Sequence, residues 1–272
     1  MLNPYIPKLA RIIKIAGQTP DVKLFTLEFA DRKDRAEFSF THGQFVMAGL
    51  LNFGEAAFEI CSSAIKTKTF DLAVGRIGDL TEKLHQLKTK AVMTIRGPFG
   101  NGLAEKFYQN KELLLVGGGR GLIVMRSFIL DYLAGALPAK KVNVFYGCLD
   151  EKNLLFKNEY KIWRKKFGLD ICLNKPEKSW LGQRGVITVL FNDKQDFTDT
   201  VALIVGPPVM YKFVIEELQK RGLKDEDIFV SLERRMYCGI GVCQHCAIGP
   251  YYVCKDGPVF SWAQIKGIPG AI

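Results

Sequence analysis

No stretch of this sequence approaches the 18 or so consecutive apolar residues that a membrane span requires, and its opening, MLNPYIPKLARIIKIAG, lacks the uninterrupted apolar core of a secretory signal. Both absences lead to the expectation of a cytoplasmic protein with no membrane span. Low-complexity tracts and internal repeats are also missing, which excludes disordered and solenoid classes. Cysteine is sparse before residue 238. Cys61, Cys148 and Cys172 stand singly among apolar neighbours, as small core residues do. A total of seven cysteines is odd, which argues against a disulfide framework and for a reduced compartment. What is present is globular: 48% apolar and 24% charged residues in 272, enough for two ordinary domains and a small appendage. The net charge of +10 is scattered, with only short clusters such as WRKKF and ERRM, so it reads as solvated faces and not as a nucleic-acid stripe.

The first hundred residues carry short β-rich runs: KLARIIKI, VKLFTLEF, QFVMAGL, FEICSSA, TFDLAV and AVMTIRG. In TFDLAV, Phe70, Leu72 and Val74 alternate with Thr69, Asp71 and Ala73, the period of a half-buried strand. Six such runs suit a small antiparallel barrel. DLTEKLHQL interrupts them as a helix, with Asp79 expected as N-cap and Glu82 at capping-box spacing. From residue 111 the rhythm changes. Apolar strands ELLLVG, KVNVFYG, LDICLN, VALIVG and DIFVSLE alternate with helical segments, the pattern of a doubly wound α/β fold with a parallel sheet. The expected division is a β-barrel domain over 1–105, an α/β nucleotide domain over 106–232 and a metal-stapled segment over 233–272.

The densest chemistry is CGIGVCQHCAIGPYYVC. Cys238, Cys243, Cys246 and Cys254 are spaced C-x4-C-x2-C-x7-C, and the first three follow the plant-type ferredoxin pattern. Gly239 and Gly241 allow a tight wrap that aims backbone N–H groups at the sulfurs of an anionic cluster. A zinc site or free thiols are the alternatives, although zinc knuckles more often pair across a longer gap. His245 reads as a neighbour of four thiolates that already complete a site. Gly117, Gly118, Gly119 and Gly121 stand at a strand-to-helix turn, where a pyrophosphate would need bare backbone or where the chain simply turns. Gly206, Pro207 and Pro208 end a second strand on the same lip, as ligand contacts or as helix-start residues. Ser62 and Ser63 offer hydroxyls, and Gly78, Leu80 and Thr81 offer N–H groups at a helix start. Each is equally at home in an ordinary turn.

In chain order, HGQFV, RGPFGNG, GGGRG, VGPPVMYKFVIEEL, SLERRMYCGIGVCQHC and YVCKDGPVF resemble the ferredoxin reductase-like flavoprotein family. They look most like its electron-transfer subunits: the gamma subunits of cytosolic hydrogenases and sulfhydrogenases, and the corresponding subunits of anaerobic sulfite reductase and of dihydroorotate dehydrogenase. The resemblance implies a six-stranded FAD barrel, a domain that binds NAD(P)H, and a C-terminal loop that holds a [2Fe-2S] cluster. It also implies partners, the catalytic and iron-sulfur subunits of a multisubunit oxidoreductase. By position, Cys61, Ser62 and Ser63 would lie against the isoalloxazine and ribityl chain, and Gly78, Leu80 and Thr81 against the FAD pyrophosphate. Gly118, Gly119 and Gly121 would line the NAD(P) pyrophosphate, and Gly206, Pro207 and Met210 the nicotinamide.

The chain departs from the family pattern at Glu59–Ser62, where many relatives have Arg-x-Tyr-Ser, and at Arg120, Val124 and Leu149. Arg76 is the candidate replacement cation for the FAD pyrophosphate. Asp150 would accept from a ribose 2′-OH and favour NAD, or else serve its own turn. The implied activity is conversion of a hydride pair into single electrons, because a nicotinamide gives two at once and a cluster takes one. No side chain is required as a general acid or base. The same wiring would serve a sulfite reductase or dihydroorotate dehydrogenase complex, and a relay or scaffold that has lost nucleotide turnover would keep the same fold.

Overall fold

The computed structural model describes residues 3–65, 68–192 and 195–272. Its first half is antiparallel. Strands β1 (Lys8–Thr19), β2 (Val22–Phe29), β3 (Phe45–Leu50), β4 (Gly54–Glu59), β5 (Phe70–Gly75) and β6 (Val92–Phe99) form a sheet in the order β4-β3-β6-β1-β2-β5. A bridge between Ile60 and Leu72, with Cys61 N–H donating to Asp71 O at 3.0 Å, joins the two edges and closes the barrel. Inward positions alternate along each strand, so Phe25, Leu27, Phe29, Phe70, Leu72 and Val74 share one core. Burying each large side chain contributes about 1.5–3 kcal/mol. Two short helices flank the barrel strands, α1 (Arg32–Glu37) and α2 (Asp79–Gln86).

Two local expectations shift. The N-cap of α2 is Gly78 and not Asp79, because Thr81 Oγ1 accepts from the N–H of Gly78 at 2.9 Å and of Ile77 at 2.8 Å, which pulls the helix start back by one residue. The run expected as a strand over 58–64 instead begins at Gly54 and ends at Glu59. Residues 61–64 leave the barrel because Arg126 and Asp131 of the α/β half hold their backbone.

After α3 (Glu105–Tyr108), the second half alternates. Strands β7 (Glu112–Gly118), β8 (Lys141–Cys148), β9 (Gly168–Leu173), β10 (Gln183–Arg184), β11 (Thr200–Val205) and β12 (Ile228–Ser231) pair in parallel, with α4 (Leu122–Leu133), α5 (Tyr160–Lys166) and α6 (Pro208–Lys220) between them. The helical segment expected over LLFKNEYKIWRKKF is shorter: α5 is preceded by a 3-10 turn at Lys157–Glu159. Between β9 and β11 the chain makes only the two-residue β10 and a 3-10 turn at Ile187–Leu190. Both faces of the sheet are covered. Leu113 and Leu115 pack with Phe128, Ile129 and Trp163, while Leu114 and Val116 pack with Val214, Ile215, Leu218 and Leu190. A strand buried on both faces loses its polar alternation, which is why ELLLVG and VALIVG read as continuous apolar runs.

The C-terminal segment does not stand apart. It makes the small hairpin β13 (Ala247–Ile248) and β14 (Tyr251–Tyr252), then α7 (Val253–Asp256), β15 (Val259–Ser261) and α8 (Trp262–Ile265). Strand β15 joins β12 antiparallel, so the sheet of seven strands, ordered β10-β9-β8-β7-β11-β12-β15 among the described residues, is mixed at one edge. Burial of Val259 and Phe260 drives this docking, and Leu232 N–H donating to Pro258 O at 2.9 Å steers it. No helix of the described residues is long and apolar enough to cross a membrane.

Candidate functional site

The cysteine loop folds around its own sulfurs. Gly239 and Gly241 have φ of +76° and +77°, a region that side chains rarely adopt, and this turns successive N–H groups inward. Gly241 N–H donates to Cys254 Sγ at 3.0 Å, Cys243 N–H to Cys238 Sγ at 3.4 Å, Ile240 N–H to Cys238 Sγ at 3.5 Å, and Cys254 N–H to Cys246 Sγ at 3.5 Å. The Cys238 thiol is also hydrogen-bonded by the Cys243 side chain, and the Cys254 thiol by the Cys246 side chain. Burial pushes the Cys238 thiol up, but the N–H groups of Cys243 and Ile240 outweigh it and bring it down to about 6, within reach of the thiolate that a metal requires. Cys254 is pushed up to about 12 by burial and by the adjacent Cys246 thiol. Cys246 and Cys254 lie in the core, whereas Cys243 is exposed.

A second concentration of polar groups joins the barrel to α4. Arg126, on this helix, donates through Nη1 to Cys61 O and to Asp71 Oδ2, both at 3.0 Å, and through Nε to Glu159 at 3.0 Å. Its guanidinium lies 4.9 Å from the Phe156 ring centroid. Burial alone would depress Arg126, but Cys61, Glu159 and Asp71 more than offset it and keep the side chain charged. Five residues on, Asp131 accepts from His42 Nε2 at 2.8 Å, from Ala64 N–H at 3.1 Å and from the Ser63 hydroxyl. Burial raises this carboxyl, and the bonds from His42 and Ser63 outweigh it and hold it below the usual range. Cys61 is fully buried, its thiol pushed up to about 12 by desolvation. The segment 61–64 is therefore clamped onto the helix that follows the glycine turn. Sequence reasoning passed over Arg126 and Asp131. Their signal was a charged residue at two places inside the apolar helical run LIVMRSFILDYL.

The glycine turn and the Gly-Pro-Pro turn meet at the carboxyl edge of the sheet. A Cβ on Gly121 would sit 2.0 Å from Val205 O, and one on Gly118 would sit 2.6 Å from Met210 Sδ. The absence of side chains thus lets β7, β11 and α6 close on each other. Arg120 reaches across to the barrel, donating to Asp21 Oδ2 at 2.6 Å with its guanidinium over Gly75. Glu59, half-buried at the end of β4, is pushed up to about 7 by burial and then by the Glu233 carboxylate. Tyr211 stands near both carboxylates, and its hydroxyl donates to Ser231 O. The Glu59 and Glu233 carboxylates, one from each half of the chain, thus repel each other electrostatically.

The other candidates are less engaged. Arg76 is half-exposed and lies 3.7 Å from Glu82. Thr81 Oγ1 is occupied by the N–H groups that cap α2 and donates to Gly78 O. Asp150 Oδ1 accepts from the N–H of Lys152 and Asn153 and from Asn153 Nδ2, closing its own turn. Leu149 beside it is exposed. Ser62 Oγ is buried without a hydrogen-bond partner among the described residues, a cost that a polar atom of a bound group would remove.

Similarity to known proteins follows the same geography. Residues 233–266 match the iron-sulfur cluster binding domain of dihydroorotate dehydrogenase B, and residues 115–216 match the oxidoreductase NAD-binding domain. The sulfhydrogenase 2 gamma subunit of Pyrococcus furiosus is 37% identical across all of both chains. The chain belongs to this family of electron-transfer subunits. The probable dihydroorotate dehydrogenase B electron transfer subunit of Pyrococcus horikoshii is 32% identical over 85% of this chain and 83% of its own. Among solved structures, an NADH-dependent reduced ferredoxin-NADP oxidoreductase superposes with a TM-score of 0.74, covering 94% of this chain and 91% of its own at 22% identity, which shows a shared fold. Family membership makes the chain an oxidoreductase subunit with an NAD-binding domain and an iron-sulfur segment.

Proposed function

We propose that this chain passes electrons between NAD(P)H and a partner oxidoreductase through FAD and a [2Fe-2S] cluster, as the electron-transfer subunit of a cytoplasmic hydrogenase or sulfur-reducing complex. The observation that carries the reading is the cysteine loop. Backbone N–H groups donate to the sulfurs of Cys238, Cys246 and Cys254, an environment that would stabilise thiolates holding an anionic cluster, and the loop packs where the barrel and the parallel sheet meet. Cys238, Cys243, Cys246 and Cys254 hold the cluster, and exposed Cys243 marks its side toward a partner.

The residues also fit a flavin. The orphaned Ser62 hydroxyl supplies one polar contact; at the first turn of α2 a pyrophosphate would meet the N–H groups of Leu80 and Thr81 beside the bare Cα of Gly78, with Arg76 nearby as a cation. Bound FAD contributes the exchange between hydride and single electrons. The protein's own part is geometric. Arg126 and Asp131 hold the barrel segment 61–64 against α4, so the glycine turn of the nucleotide site keeps one distance from the flavin side. Gly118, Gly119, Gly121, Gly206, Pro207 and Met210 form the lip on which NAD(P)H would lie.

Anaerobic titration tests this. NADH or NADPH should bleach both flavin and cluster absorbance, whereas Cys243→Ser should retain FAD reduction and lose transfer to the partner. If neither nucleotide bleaches either chromophore, the chain is a relay without nucleotide turnover. NADH preferred over NADPH supports Asp150 as the ribose acceptor, and the reverse preference removes that role.

A further inference from the structure

Arg96 of β6 is a buried cation, 5% exposed, in the wall of the barrel. Three distant parts of the chain converge on its guanidinium. Nη1 donates to Pro4 O at 2.9 Å and to Cys238 O at 3.1 Å. Nε donates to Glu55 Oε2 at 3.0 Å, and Nη2 also bonds the Glu55 carboxylate. The rings of Phe99 and Tyr5 have their centroids 5.5 and 5.9 Å away. At the next residue of the loop, a Cβ on Gly239 would come within 3.0 Å of Phe99 and 3.1 Å of Met47, so the bare backbone there rests directly on the same wall. An ion pair of this kind is expensive to desolvate, and a barrel wall could be built from apolar residues without it.

The orientation of the pair is what matters. Glu55 occupies the Nε/Nη2 edge, while Nη1 faces the carbonyl of the first cysteine of the loop. The positive end of the pair thus points at the loop. A cluster held by four thiolates is anionic and gains one more negative charge on reduction, so a fixed cation in a low-dielectric wall favours the reduced form.

We propose that Arg96 is a positioning residue for the iron-sulfur cluster: it fastens the Cys238 end of the loop to the barrel, and its charge, aimed by Glu55, sets the cluster's reduction potential. The inference rests on the cluster reading above. Reduction adds one electron to the cluster. No bond to Arg96 forms or breaks, and the guanidinium keeps its proton throughout.

The experiment is an anaerobic redox titration of the full holoprotein, followed by the paramagnetic signal of the reduced cluster, for wild type, R96Q and E55Q. Iron and sulfide are assayed on each. R96Q should lower the ratio of reduced to oxidised cluster at fixed poise by about tenfold, which is about 59 mV for one electron. E55Q leaves the cation uncompensated and should move the ratio the opposite way. Shifts in the same direction, or no shift in either variant at full iron and sulfide, overturn the proposal, because loosening of the loop would not reverse sign between them. If R96Q loses the cluster, E55Q decides alone: a raised ratio supports the proposal, and an unchanged or lowered one refutes it. Absence of iron and sulfide from the wild-type protein would instead refute the cluster reading itself.

Discussion

Replacing Glu59 by glutamine should stabilise the protein, and should do so increasingly as the pH rises. Glu59 ends β4 half-buried, and burial together with the Glu233 carboxylate raises it from 4.5 to about 7. A carboxyl raised on folding costs nothing while it is protonated in both states. Between about pH 4.5 and 7 the unfolded chain gives up the proton and the folded chain retains it, so stability falls through that window and levels off above it. At 1.36 kcal/mol per unit, the full penalty is about 3 kcal/mol. About 1 kcal/mol of this is already present at pH 5.5, leaving about 2 kcal/mol to develop by pH 8.5. A glutamine at this position cannot ionise and escapes the penalty. In thermal unfolding of wild type and E59Q across this range, the advantage of E59Q should widen by about 4 °C or more between pH 5.5 and 8.5. A difference between the two proteins that stays constant with pH would refute the argument, since only a titrating Glu59 makes it pH-dependent.

Removing the guanidinium in R126Q leaves Asp71 and Glu159 without their cation and should cost about 3–5 kcal/mol, read as a lowered unfolding temperature. G121A forces a Cβ to 2.0 Å from a backbone oxygen and should cost about 3 kcal/mol or prevent folding. G78A meets nothing within 4 Å and should leave the unfolding temperature unchanged. R76A should leave stability intact, because Arg76 is half-exposed and only loosely paired with Glu82, yet weaken FAD binding about tenfold by fluorescence titration. Full FAD retention in R76A would remove Arg76 from the pyrophosphate site.

Much of the architecture was legible because it is periodic. Alternation in TFDLAV marked a barrel strand, and unbroken apolar runs such as VALIVG marked strands covered on both faces. The cysteine loop was legible because C-x4-C-x2-C is local: residues that share one loop meet in space by chain geometry alone. The N-cap of α2 was misplaced by one residue because Thr81, not Asp79, holds the N–H of the capping position. The short β4 and the antiparallel β15 were invisible for a different reason. Each is decided by a partner far along the chain, Asp131 for the backbone of residues 61–64 and β12 for the C-terminal strand.

By itself, then, the sequence determined the two sheet types, the glycine turns and the four cysteines, all of which follow from short-range spacing. Tertiary structure alone decided how these parts face one another. It gave Arg126 and Asp131 the task of fastening the barrel to α4, brought Glu59 under the repulsion of Glu233, and aimed Arg96 at the carbonyl of Cys238 across 142 positions of chain. A buried charge takes its meaning from the partner that compensates it, and that partner is chosen by folding rather than by proximity in sequence.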